Sequence, residues 1–324
     1  MSEKLNLKPV GQHNTKGSQG HREKVNYAYI DALEIGGIPY LKTGTAIMDF
    51  TKSTEIGCLQ IDGILGANTM RHSIWQIDYQ KQEIIIASHI DSLSFLPNLD
   101  TIPFTTKTTG TPVLAIQMGK VIERNVTLDS GASGYIDLSN HTYQEVLKAN
   151  PNVPHNFAYG NNSSGIYGIG APDTLNFFKP DTLQFGTIEL HHQICQASVA
   201  PTSSTLGTRF FKNYIITLDW NQNHLLLTQV KEFDYSAEEN LGYKTRFIDD
   251  KMKVSLLYNG TEASKNLQLY EEVIQEDSTR YSTFTKLDYC KMISDTNKPT
   301  EKVTTILRDS IEITFPFTKA VFLR

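Results

Sequence analysis

Apolar residues in this chain gather into short runs bounded by glycine and polar turn residues, the pattern of strands joined by hairpins. Asp31-Ala32-Leu33-Glu34-Ile35-Gly36-Gly37-Ile38 reads as a strand, a glycine turn and a return strand, and Asp181-Thr182-Leu183-Gln184-Phe185-Gly186-Thr187-Ile188 reads the same way. Val126-Thr127-Leu128 predicts a buried strand running into Asp129. The residues that follow, Ser130, Gly131 and Ala132, are small enough to let a second backbone approach that carboxylate closely.

The two hairpins belong to a longer repeat. They align without gaps, Asp31 on Asp181, and farther along Leu65-Gly66-Ala67-Asn68 through Tyr79 aligns on Leu206-Gly207-Thr208-Arg209 through Trp220. Each copy predicts a short helix and then paired strands, and each continues into an apolar strand, Ile84-Ile85-Ile86 or Leu225-Leu226-Leu227. Two copies in one order imply two similar β-rich lobes related by duplication. The predicted fold class is therefore mostly β: two pseudo-symmetric β lobes over residues 1–100 and 101–230, then a small α+β domain over 231–324 that begins after the polar linker 231–239.

Composition narrows the function classes. With 324 residues, 39% hydrophobic and 20% charged, the chain can bury a sizeable core in two or three domains. A formal charge of −5 with scattered Lys and Arg leaves no basic footprint, so no nucleic-acid partner is expected. No apolar run approaches the roughly 18 residues of a transmembrane segment, and Met1-Ser2-Glu3-Lys4 opens no secretory leader. Cys58, Cys195 and Cys290 are far apart, lack metal-ligand spacing and allow at most one disulfide. Nucleophile-elbow, P-loop and zinc-protease signatures are absent, and Gly168-Ile169-Gly170 lacks the third glycine of a dinucleotide fingerprint. His191-His192 continues a strand with no Ser or Cys partner and reads as a solvated pair.

Asp129 remains as the residue with chemistry. Asp-Ser-Gly is ordinary turn chemistry, and one reading is an acid that caps a turn. However, Asp129-Ser130-Gly131-Ala132 after an apolar strand, followed by Tyr135-Ile136-Asp137-Leu138, resembles the active-site turn of aspartic peptidases, the retropepsin and pepsin relatives. That family works with two such turns. Carboxyls about 3 Å apart cannot both ionise, so they share a proton; one takes a proton from water while the other protonates the scissile carbonyl. The resemblance implies hydrolysis of a polypeptide substrate without metal or other cofactor, with Asp129 catalytic and Ser130 and Gly131 in its turn. Ile61-Asp62-Gly63-Ile64-Leu65-Gly66 resembles the strand that runs beside the acid-bearing strand, with Gly66 and Gly207 serving close backbone approach and Asp62 a turn residue.

Counting back from the repeat, a first-lobe counterpart of Asp129 falls about 52 residues before Asp31, ahead of Met1. Asp31, Asp49 and Asp91 do not fit the turn, and Ser2 to Pro9 looks like the end of the helix that follows it, as His141 to Lys148 does in the second lobe. The expectation is a fragment of a longer protein, inactive alone. Between turn and hairpin the family has a glycine-rich flap over bound peptide; Lys16-Gly17-Ser18-Gln19-Gly20 and Ser163-Ser164-Gly165-Ile166-Tyr167-Gly168-Ile169-Gly170 hold those places. Gly20, Gly165, Tyr167 and Gly168 are thus candidate substrate-binding residues.

After residue 231, the strand 251–258, the run 269–274, the helical stretch 285–293 and two last strands over 310–315 and 319–323 resemble a PDZ domain. Such domains add an extended chain end as a strand and hold its carboxylate on loop N–H groups. Leu241, Gly242 and Tyr243 hold the loop position, in degenerate form, and imply a C-terminal peptide as partner. The competing function is a non-catalytic polypeptide-binding protein that uses the cleft and this domain. PDZ-bearing peptidases of this kind are often exported, which points to the periplasm or cell envelope.

Overall fold

The computed structural model describes residues 5–17, 20–200, 203–233, 239–295 and 299–323, and it is mostly β. The two repeated hairpins form with the same register, Ile35 opposite Ile38 and Phe185 opposite Ile188. Gly36 (φ 59°) and Gly37 (φ 80°) both take the left-handed region that a two-residue turn between right-twisted strands requires. The settings differ. Thr182–Phe185 and Ile188–His191 sink into the second lobe's core, whereas Arg22–Ile35 and Ile38–Ile47 form a three-stranded sheet with Gly11–Lys16.

The second repeated segment joins the lobes. Ile74–Asp78 and Tyr214–Asp219, equivalent in the repeat, pair antiparallel at the centre of a five-stranded sheet. Its order is Glu83–Ala87, Ile74–Asp78, Tyr214–Asp219, His224–Gln229, Asp100–Pro103. Gln76 lies opposite Thr217, and these two positions are also equivalent in the repeat, so a local two-fold axis passes between them. The buried Gln76 amide donates to Thr217 Oγ1 at 3.2 Å. Each copy closes its hairpin alike: Asp78 Oδ1 accepts from the Gln80 and Lys81 N–H groups, and Asp219 Oδ1 from those of Asn221 and Gln222. The short helices Ala67–Met70 and Thr208–Phe211 also correspond.

The second lobe's core centres on Phe178, Phe185, Phe210, Phe211 and Tyr214, all essentially inaccessible. Its large sheet does not stop at residue 230. Strand His155–Gly160 pairs with Lys251–Tyr258, Tyr159 opposite Leu257, so one sheet runs from the second lobe into the C-terminal unit and on through Glu272–Glu276, Glu301–Arg308 and Ile311–Thr318. The C-terminal unit still has its own core, around Phe247, Val254, Tyr289, Ile306 and Phe317. Of the polar linker, residues 234–238 lie outside the described set.

Two first-lobe expectations are corrected. Residues 5–10 form a turn and extended chain rather than the end of a helix; Asn6 has φ 48°, and Lys8 precedes Pro9, which disfavours helical geometry at Lys8. Residues 1–4 lie outside the described set. The segment 61–65 is not a strand, because among the described residues no strand pairs with it.

Cys58, ending helix Thr54–Cys58, is bonded to Cys290 in helix Lys286–Ser294, and so ties the first lobe to the C-terminal unit. Beside it Arg246 Nη1 donates to Glu55 Oε1 at 2.5 Å, with both side chains largely buried. Burial and the neighbouring Glu55 push the Tyr289 hydroxyl up to about 12. The bridge closes a 232-residue separation, so its loss releases considerable denatured-chain entropy. Cys58→Ser with Cys290→Ser is expected to cost about 2–4 kcal/mol, read as a lowered Tm, while Cys195→Ser leaves the redox dependence of Tm unchanged.

Candidate active site

The strand Val121–Leu128 delivers Asp129 to a turn built on four sides. Thr205–Leu206 threads between the strand that enters the turn and the strand that leaves it, parallel to Thr127 and Leu128 and antiparallel to Ile136 and Asp137. The Asp129 N–H donates to Leu206 O at 3.0 Å. Beyond it Gly207, Thr208 and Arg209 donate their N–H groups to Tyr135 O (3.1 Å), Ala132 O (2.8 Å) and Gly134 O (3.2 Å), and Thr208 Oγ1 donates to Ser130 O (2.8 Å). Inside the turn the Gly131 N–H donates to Asp129 Oδ1 at 2.9 Å, fixing the half-buried carboxylate, while Ser130 and Gly131 are exposed.

Gly207 makes this crossing possible. A Cβ there would fall on Gly134 O and within 2.9 Å of Ala132 O, both backbone atoms. The close approach expected of Gly207 is therefore real. Gly66, its repeat equivalent, does not share it: a Cβ there meets only the Asn68 side chain, at 2.7 Å, because no turn lies against the first-lobe segment.

That difference extends over the lobe. Leu206 is 0% exposed and Leu65 38%; Leu225 is 0% exposed and Ile84 59%. Ile61 and Ile64 stand in solvent too, at 38% and 59%. In the second lobe these positions are covered by the 126–137 turn and its neighbours and by Asp100–Pro103. Among the described residues nothing equivalent covers the first lobe, and no second carboxylate is hydrogen-bonded to Asp129.

Asp137 is a further acid at the site that sequence reasoning did not single out. Burial raises its carboxyl above the ordinary range, against hydrogen bonds from Gln196 and Thr205 and the charge of Arg209. The pattern Tyr135-Ile136-Asp137-Leu138 carried the signal, since an acid among apolar strand residues is either paired or perturbed. A raised folded-state value means the folded protein holds this proton more tightly than the unfolded chain, so its contribution falls as pH rises from the unfolded value through the folded one. Asp137→Asn is expected to raise Tm at pH 7 by a few degrees, with the gain shrinking towards pH 4.

The two flap segments meet each other. The Tyr167 ring lies against Gly17 and its hydroxyl donates to Thr15 Oγ1 at 3.0 Å; His21 Nε2 lies 3.1 Å from Ile169 O. Gly20 (φ 84°) and Gly168 (φ 102°) turn the chain there, and Gly165 pairs with Gly168 across a two-residue hairpin; Ser18 and Gln19 lie outside the described set. Among the described residues no hydrogen bond links either flap segment to Asp129.

The Leu241-Gly242-Tyr243 loop is separate from both. Its Gly242 N–H donates to Asn240 Oδ1 (2.7 Å), and a Cβ at Gly242 would meet Thr261 Oγ1 at 2.5 Å. Tyr243 is buried with its hydroxyl donating to Glu276 Oε1 at 3.2 Å, and Leu241 packs on the same core. The described residues contain no cluster of three or more His, Cys, Asp or Glu able to hold a metal ion, and no helix long and apolar enough to cross a membrane.

No protein-family model matches this sequence, and no curated protein matches it. Among solved structures the chain is similar to conglutin gamma, a basic 7S globulin from lupine seeds, at 10% identity and a TM-score of 0.37, covering 68% of this chain and 73% of that one. Basic 7S globulin from soybean is similar at 10% identity and a TM-score of 0.35, covering 68% and 72%. A retropepsin-like aspartic protease from Rickettsia conorii is similar at 14% identity and a TM-score of 0.27, covering 42% of this chain and 95% of that one.

Proposed function

We propose that this chain is the scaffold of an aspartic endopeptidase in which Asp129 supplies one carboxyl of a proton-sharing pair. The second carboxyl comes from a strand–turn–strand segment seated on 61–66 as residues 126–137 are seated on 205–207. One observation carries the reading: repeat-equivalent apolar residues, Leu206 and Leu65, are sealed beneath an acid-bearing turn in one lobe and open in the other. Covering the large apolar side chains Ile61, Ile64, Leu65 and Ile84 stabilises by about 1.5–3 kcal/mol for each one fully buried, enough to hold such a segment in place. Gly20, Gly165, Tyr167 and Gly168 are the residues proposed to contact bound polypeptide. The Cys58–Cys290 bridge fits maturation in an oxidising compartment such as a periplasm.

The test is a peptidase assay below about pH 6, the range in which such a pair retains one proton. It compares this chain, a form extended by the segment proposed to seat on 61–66, and that extended form with Asp129→Asn. Cleavage by the extended form alone is the expected pattern; cleavage that survives Asp129→Asn sinks the mechanism.

A second reading, a polypeptide-binding protein that does not cut, is favoured by the Asp129 carboxylate having no carboxylate partner among the described residues. It predicts no turnover in any form and unchanged peptide affinity in Asp129→Asn. The described residues of the C-terminal unit run three strands, a helix, two strands, a helix and three strands, and the placing of helices Glu262–Asn266 and Lys286–Ser294 between strands supports a PDZ-like unit. The Gly242 N–H bond to Asn240 and the burial of Tyr243 weigh against Leu241-Gly242-Tyr243 holding a peptide carboxylate.

A further inference from the structure

Where the second lobe meets the C-terminal unit, a cavity of about 330 Å³ is lined by residues from both. One wall is aromatic: Phe177, Tyr258 and Phe322 pack mutually, with ring centroids 4.9–5.6 Å apart. Phe233 and Tyr135, 6.1 Å apart edge to face, also line the space. Four cations border the space: Arg209 and Lys212 from the second lobe, Lys231 from the linker that follows it and Lys244 from the C-terminal unit.

The charge is one-sided. No described acid lines the cavity, although the chain as a whole carries 35 acids against 30 bases. Among the described residues Lys212, Lys231 and Lys244 make no ion pair, and the charge of Arg209 acts on the partly buried Asp137. Four like charges around one concavity repel each other, a cost that an anion seated between them would relieve. The volume is that of a small-ligand site, and flat apolar walls with convergent polar groups are what such sites offer.

We infer that this cavity binds an anionic ligand with a flat apolar body, of the size and chemistry of an aromatic carboxylate: the body lies against the aromatic side chains and the carboxylate faces Lys231, Lys244 and Arg209. The site is distinct from the Asp129 carboxylate and does not rest on the peptidase reading. The ligand is either a free small molecule or the carboxyl end of a polypeptide that finishes in an aromatic residue.

Calorimetric titration of the full chain at low ionic strength with N-acetyl-phenylalanine, its uncharged amide and a tetrapeptide ending in phenylalanine tests this. The free acid is expected to bind at least about tenfold more tightly than the amide, and added salt to erase most of the difference. The double variant Lys231→Gln, Lys244→Gln, with circular dichroism unchanged, is expected to reduce affinity for the acid to about that for the amide. Tetrapeptide binding as tight as the free acid supports the proposal with a chain end as the source; weaker binding supports it with a small molecule. Equal affinity for acid and amide, no binding of either at about 10 mM, or an acid preference intact in the double variant overturns it.

Discussion

If the proposed pair of carboxyls operates, Asp129→Asn lowers kcat/KM of the form extended by the second acid-bearing segment, towards unfolded polypeptide, by at least about 10³-fold, or about 4 kcal/mol of transition-state stabilisation. The side chains are nearly isosteric, and Asn keeps an oxygen to accept the Gly131 N–H, so the turn should survive. What disappears is the ability to carry a proton. A pair of carboxyls works because one titrates in the presence of the other, holding one proton between them at acid pH. An amide neither accepts the proton of the attacking water nor changes charge. KM should stay within a few-fold, since no substrate contact is removed, and the acid-pH activity profile should vanish rather than shift. Activity that persists, or a proportional rise in KM with kcat intact, would falsify the role assigned to Asp129.

Gly207→Ala is expected to destabilise the second lobe by about 4 kcal/mol or to prevent its folding, while Gly66→Ala costs about 1 kcal/mol or less. The two glycines have similar extended backbones, φ −104° and −96°, so conformational freedom does not separate them. Space does. The Cβ at Gly207 meets carbonyl oxygens of the turn, which cannot rotate aside without giving up the Thr208-to-Ala132 and Arg209-to-Gly134 hydrogen bonds. At Gly66 it meets the end of one movable side chain. Denaturant unfolding of the two variants measures the contrast. Equal losses would mean that the crossing at 205–207 is not what holds Asp129.

Much of the scaffold was legible in the residues. The hairpins at Gly36-Gly37 and Gly186, the helix-then-strand copies at 67–78 and 208–219, the helix Asn140–Ala149 and the strand Lys251–Tyr258 all form where pattern places them. Local signals decide such elements: turn glycines, alternation and caps such as Ser139, whose hydroxyl accepts from the Thr142 N–H. The Asp129 turn was legible for the same reason, as a run of small residues after an apolar strand. The segment 61–66 was not. Its apolar pattern asks for a strand, but a strand exists only when a neighbour satisfies its backbone, and none among the described residues does.

Sequence by itself determined the doubling of the β scaffold, the small-residue turn at Asp129 and the glycine at position 207, because each is written in a short local run of residues. Only tertiary structure decided three further things: the two-fold axis between Gln76 and Thr217, the single sheet that carries the second lobe into the C-terminal unit through Tyr159 and Leu257, and the cation-rimmed cavity at that junction. The first two are made by residues about 100 or more positions apart and the third by residues drawn from Tyr135 to Phe322, over distances where periodicity carries no information and only packing selects the partner.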